Sequence, residues 1–126
     1  MNDQSLQILV LDDEPIVGKR LKTALEKSGY AVEVFEDSRA ALKRLDEREF
    51  DIIVTDVRME EVDGIQVLEH VLERSARTKV IVITGYATVE VAREALAKGA
   101  FDFIAKPFKP DDLRQVITRA AAALKG

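Results

Sequence analysis

Three short runs of unbroken apolar side chains, each stopping on a polar residue, constrain this chain more than any other feature. They are Ile8-Leu9-Val10-Leu11 before Asp12, Ile52-Ile53-Val54 before Thr55 and Asp56, and Val80-Ile81-Val82-Ile83 before Thr84. Runs of this length without alternation read as strands buried on both faces, and such strands belong mainly to parallel sheets with helices on either side. Between them the apolar spacing becomes helical. Val17, Leu21, Ala24 and Leu25 follow Pro15, which suits a first helical turn, and Gly29 is placed to end that helix. Ala41, Leu42 and Leu45 follow the candidate caps Asp37 and Ser38. Ile65, Leu68, Val71 and Leu72 follow a polar loop over 57–64, while Val89, Ala92 and Leu96 precede Gly99. Leu113, Val116, Ile117, Ala120 and Leu124 form a last helix opening at Pro110. Two further segments, 31–35 and 101–105, alternate only in part, as edge strands do.

The period therefore switches between strand and helix five times, the pattern of an α/β fold with a parallel sheet. With the first, third and fourth strands central and right-handed crossovers, the favoured strand order is 2-1-3-4-5. That is the flavodoxin-like (βα)5 doubly wound arrangement, with its switch point between the first and third strands. The 126 residues suit one domain spanning 1–126, without linker or repeat. Cysteine is absent, which excludes disulfides, thiolate zinc sites and cysteine nucleophiles. A formal net charge of −4 argues against direct nucleic-acid binding by this chain. No apolar run approaches a membrane span, and 1–5 lacks the basic start and apolar core of a signal peptide, so a cytoplasmic location is expected.

Neighbouring first and third strands bring Asp12, Asp13 and Asp56 to the carboxyl end of the sheet, where open parallel sheets carry their chemistry. Carboxylates packed so closely repel by about 1 to 4 kcal/mol per pair near a surface, which calls for a neutralising cation. Mg²⁺ takes carboxylate oxygens and waters and leaves room for a phosphoryl oxygen. The fourth strand adds the Thr84 hydroxyl and the fifth the Lys106 ammonium. These are the parts phosphoryl transfer needs, since it is catalysed mainly by positioning and charge neutralisation. Asp56 is the natural nucleophile, able to carry the group as an acyl phosphate. Each residue alone also suits a cap or a solvated strand end; their convergence carries the argument.

Asp12-Asp13, Asp56, Thr84 and Lys106-Pro107-Phe108, each after its own strand, resemble the receiver domain of two-component response regulators, over essentially the whole chain. The resemblance is to CheY-like domains, and Gly85-Tyr86-Ala87-Thr88-Val89-Glu90 and Gly99-Ala100-Phe101-Asp102-Phe103 look similar to receivers of the nitrogen-regulation class. It implies a signalling phosphoacceptor rather than an enzyme, one that assists its own phosphorylation and slowly loses the group again. The donor would be a phosphohistidine on a sensor histidine kinase or a phosphotransfer protein. Asp13, Asp56 and the backbone carbonyl of Arg58 would hold Mg²⁺, with Asp12 acting largely through water. Lys106 would contact the phosphoryl group, and its bond to Pro107 would be cis. Thr84 and Phe103 would form the switch that reshapes the face of the fourth helix, fifth strand and fifth helix. Homodimerisation through that face would use Arg93, Asp102, Arg114 and Arg119 as pairing charges.

Some positions depart from the family pattern or qualify it. Glu60 stands where relatives usually have Pro, and Arg58 and Tyr86 occupy positions that in this family modulate how quickly the acyl phosphate hydrolyses, the resemblance implying that the bulky Tyr86 would shield it. His70 reads as a solvated surface residue. A haloacid-dehalogenase-type phosphatase would need Asp-x-Asp-x-Thr after the first strand, where this chain has Asp12-Asp13-Glu14-Pro15. An FMN carrier would cradle its phosphate in a Ser/Thr/Gly-rich loop at that place, and these carboxylates would repel it. Use of the unphosphorylated fold as a binding module finds no support in the sequence.

Overall fold

The computed structural model describes residues 6–57, 63–85 and 89–125. Strands and helices alternate through the chain: β1 (Gln7–Leu11), α1 (Pro15–Lys27), β2 (Ala31–Phe35), α2 (Ser38–Glu47), β3 (Ile52–Asp56), α3 (Gly64–Arg74), β4 (Lys79–Thr84), α4 (Val89–Ala97), β5 (Asp102–Ala105) and α5 (Pro110–Lys125). The sheet is parallel with order β2-β1-β3-β4-β5, the flavodoxin-like arrangement expected from the sequence.

Strand parity divides the core in two. Leu9, Leu11, Ile53, Val80 and Val82 point to one face, where α2, α3 and α4 bring Ala41, Leu68 and Ala95. Ile8, Val10, Ile52, Val54, Ile81 and Ile83 point to the other, covered by Leu21 and Leu25 of α1 and Leu113 and Ile117 of α5. The three central strands are therefore apolar at successive positions because both faces are covered. Each such fully buried side chain contributes about 1.5–3 kcal/mol. The edge strands β2 and β5 are mostly half-buried.

Local chemistry sets the helix ends. Gly29 (φ 96) and Gly99 (φ 107) take the left-handed conformation that lets the chain leave α1 and α4. Asp37 caps α2 by accepting the Arg39 N–H at 3.0 Å. Asp63 and Gln66 form a reciprocal capping box that fixes where α3 begins.

Candidate functional site

Register brings the acidic residues together. Leu11 pairs with Thr55, so the next residues, Asp12 and Asp56, emerge side by side at the carboxyl ends of β1 and β3. Asp56 is 5% exposed, Asp12 fully buried, and Asp13 exposed. The Asp12 Oδ1 accepts the Glu14 N–H at 2.8 Å, whereas its Oδ2 is buried and accepts no hydrogen bond. Thr84, 1% exposed, closes β4, and its carbonyl accepts the Lys106 N–H at 2.8 Å, bringing the end of β5 to the same rim. The Lys106–Pro107 peptide is cis.

The Lys106 ammonium lies among three carboxylates. Its Nζ is 2.6 Å from Glu14 Oε1, 2.9 Å from Asp56 Oδ2 and 3.2 Å from Asp12 Oδ2. Burial pulls the ammonium's pKa down, but hydrogen bonds to Glu14 and Asp56 and the charges of Asp12 and Asp56 outweigh it, leaving it well above the ordinary lysine range. Burial pushes the Asp12 carboxyl up. The Glu14 N–H and Lys106 pull it back and the Asp56 charge adds to the rise, so the balance stays above the usual carboxylate value.

One carboxylate oxygen from each of Asp12, Asp13 and Asp56 lies within 4.8 Å of the others. Hard oxygen donors, mutual repulsion and a buried Asp12 Oδ2 that has the Lys106 ammonium nearby but no hydrogen bond fit a small divalent cation such as Mg²⁺. The repulsion gives a test of opposite signs. In chelator, Asp13→Asn removes a like charge and should raise stability in urea by about 1 kcal/mol. In Mg²⁺ the same variant should gain less from the metal than the parent does, because a ligand that binds only the native state stabilises it in proportion to its affinity. Equal Mg²⁺ gains in both proteins would remove Asp13 from the cation site.

Two residues that sequence reasoning left without a site role are part of the geometry. Glu14, noted only as one more carboxylate after β1, holds Lys106 from 92 positions away. Gly64, taken as the end of a polar loop, packs directly beneath the candidate nucleophile. Its N–H donates to the Val57 carbonyl at 3.0 Å, and a Cβ there would fall 2.4 Å from the Asp56 carbonyl oxygen and 2.8 Å from Val57 Cα. Gly directly after a capping Asp, at a helix position where Ala has the better propensity, was the available signal.

Phe103 pairs in register with Val82, and Thr84 lies two residues beyond Val82, so strand parity places Phe103 and Thr84 on one face of the sheet. Phe103 is half-buried against the core cluster on that face, which includes Ala95 of α4. Of the charges considered for dimer pairing, Asp102 is engaged within the chain by Arg119 at 3.1 Å, and Arg114 pairs with Asp111. His70 is not simply solvated. It is half-buried on α3 and its Nε2 lies 3.0 Å from Asp46 Oδ1 of α2, which Arg74 also contacts at 2.8 Å. Arg58, Glu60 and Tyr86 lie outside the described residues.

A family model described as the response regulator receiver domain matches residues 8–118. The chain is 40% identical over 114 residues to the regulatory protein AtoC of Escherichia coli (strain K12), which covers 90% of this chain and 25% of that protein. It is 37% identical over 122 residues to the transcriptional regulatory protein ZraR of Escherichia coli O157:H7, covering 97% of this chain and 28% of the relative. The chain thus spans about a quarter of the length of these curated relatives. Among solved structures, the beryllofluoride-activated NtrC4 receiver domain dimer matches with a TM-score of 0.88 at 36% identity, covering 94% of this chain and 98% of that one. A CheY-like receiver domain protein from Methanospirillum hungatei JF-1 matches with a TM-score of 0.91 at 28% identity, covering 96% and 97%.

Proposed function

This chain belongs to the response regulator receiver domain family, and from that premise we propose that Asp56 is its phosphoacceptor, taking the phosphoryl group from a phosphohistidine of a sensor histidine kinase or phosphotransfer protein. The observation that carries this reading is the nearly buried Asp56 carboxylate at the end of β3, hydrogen-bonded to Lys106 and grouped with Asp12 and Asp13. An Asp56 carboxylate oxygen attacks phosphorus, the P–O bond forms as the P–N bond to the imidazole breaks, and the imidazole nitrogen keeps the bonding pair. The nucleophile is used as its anion, so the chemistry needs no general base. Lys106 stays protonated and offers its ammonium to the incoming phosphoryl oxygens, while Thr84 offers a hydroxyl from the neighbouring strand end. Asp12, Asp13 and Asp56 would hold Mg²⁺, which when bound neutralises charge on the carboxylates and the transferred oxygens. The same residues would govern slow loss of the group by hydrolysis.

Phosphorylation would act on the α4-β5-α5 face through Thr84 and Phe103, a two-state element biased by one charge-assisted contact. The apolar side chains Val89 and Leu96 of α4 are 65% and 45% exposed there, which supports a docking or homodimerising role for this face. The likeness to relatives named as transcriptional regulators extends the proposal to control of an output domain or partner. Residues 1–126 would act as a single receiver, in the cytoplasm and without contacting nucleic acid directly. Among the described residues no helix is long and apolar enough to cross a membrane.

Intact mass after incubation with acetyl phosphate and Mg²⁺ tests the central step. One phosphoryl adduct is expected, absent from Asp56→Asn and from the parent in chelator. An adduct of equal yield on Asp56→Asn would move the acceptor elsewhere, and none under any condition would reduce the acidic rim to a phosphate-independent feature.

A further inference from the structure

The Lys106 ammonium has three N–H donors and three carboxylates around it, yet they are unequally shared. Glu14 is nearest at 2.6 Å, Asp56 accepts a hydrogen bond at 2.9 Å, and Asp12 Oδ2 stands at 3.2 Å with no hydrogen bond although it is buried. A buried carboxylate oxygen beside an ammonium ordinarily takes one of its donors. Here the shortest contact of the ammonium is to Glu14 at the rim, whose backbone N–H also fixes Asp12 Oδ1. Glu14 precedes α1 as its N-cap residue but makes no side-chain cap to the helix, so its carboxylate is free to reach across to Lys106.

From this geometry we infer that Glu14 is a positioning residue for Lys106: it holds the ammonium toward the rim, keeps it from hydrogen-bonding Asp12 Oδ2, and thereby weakens the competition between Lys106 and a divalent cation for Asp12. The inference rests on the cation site of the proposed function. Without the Glu14 charge the ammonium, already bonded to Asp56, settles onto Asp12 as well, and the cation must displace it there. In the phosphorylated form Glu14 competes with the phosphoryl oxygens for the same ammonium, so one exposed carboxylate tunes both occupants of the site.

The test pairs Glu14→Gln with Lys106→Met and both together, with Mg²⁺ affinity measured by calorimetry. Glu14→Gln should weaken Mg²⁺ binding by about threefold to tenfold when Lys106 is present and by less than about twofold when it is Met, because interacting residues show non-additive effects. Equal weakening in both backgrounds would reduce Glu14 to a nearby negative charge, and no weakening would remove it from the site; either overturns the inference. A second readout does not depend on metal. In chelator, the Lys106 side-chain ¹⁵Nζ resonance, assigned by its loss in Lys106→Met, should shift in Glu14→Gln, and an unchanged resonance also overturns the positioning role. A parent that binds no Mg²⁺ while this resonance shifts would instead overturn the cation site and with it the competition, leaving Glu14 as a holder of Lys106 only.

Discussion

Gly64→Ala should lower stability by about 2–3 kcal/mol and slow phosphorylation of Asp56, although it adds only a methyl group. Helix propensity alone favours Ala over Gly by up to about 1 kcal/mol, and less in a first turn. Against that, the new Cβ would meet the Asp56 carbonyl oxygen at 2.4 Å, Val57 Cα at 2.8 Å and the Asp56 carbonyl carbon at 3.0 Å. All three are backbone atoms, so no side chain can swing aside; either α3 retreats or the end of β3 moves. Overpacking of this kind costs about 1–3 kcal/mol and occasionally more, which outweighs the propensity gain. The displaced atoms carry the candidate nucleophile, and a shift approaching 1 Å can cost about a hundredfold in rate. Urea unfolding gives the first quantity and time-resolved intact mass with acetyl phosphate the second. Gly85→Ala is the matched control, since a Cβ there meets nothing within 4 Å among the described residues and should change stability by less than about 0.5 kcal/mol. A Gly64→Ala protein as stable and as quickly phosphorylated as the control would mean that the α3–β3 approach is slack.

The contrast between Gly64 and Asp56 shows how far the sequence could be read. Ile52, Ile53 and Val54 are all fully buried because two helical layers cover β3, and that double burial is what writes an unbroken apolar run into the sequence. Once β1 and β3 are known to be central, the handedness of crossovers makes them neighbours, and Asp12 and Asp56 meet without any structure being consulted. Thr84 and Lys106 follow by the same logic from the ends of β4 and β5. What periodicity cannot carry is side-chain reach. Glu14 finds Lys106 across 92 residues, and His70 finds Asp46 across 24, because of where helix starts and helix faces settle in the packed molecule. The pairing of Arg119 with Asp102 is equally illegible: the sequence offers both as charges for pairing between copies, and only the packed molecule brings Arg119 of α5 to Asp102 of β5 within one chain. Gly64 fails for a different reason, since a close approach between backbones leaves only a missing side chain as its trace.

Lys106→Met should destabilise the chain in a way that depends on both pH and metal. The ammonium compensates Asp56 and Asp12, which are 5% and 0% exposed, and removing one partner of a buried ion pair typically costs about 3–5 kcal/mol. Lys106 itself is about a fifth exposed, so water reaches the rim and roughly 2–4 kcal/mol is the expected loss at neutral pH in chelator. Asp12 supplies the pH dependence. Its carboxyl lies above the ordinary range, chiefly through burial, with Lys106 among the groups that restrain the rise, so the variant raises it further. A carboxyl raised by folding binds more protons folded than unfolded between its two pKa values, and stability falls as pH climbs across that interval. Below the unfolded value both states are protonated, and the gap between parent and variant should be small. It should open as pH passes the parent's raised folded value and reach full size above the variant's, which lies higher. Saturating Mg²⁺ should narrow the gap at neutral pH, because the variant, freed of the ammonium that competes for the carboxylates, binds the cation more tightly than the parent, and a native-state ligand stabilises each protein in proportion to its affinity. It should do little in acid, where the carboxylates it needs are protonated. Urea unfolding across pH, with Mg²⁺ or with chelator, reads both effects. A gap that is constant in pH and indifferent to Mg²⁺ would mean that Lys106 stabilises the fold through its aliphatic stem, and that Asp12 and Asp56 do not depend on its charge.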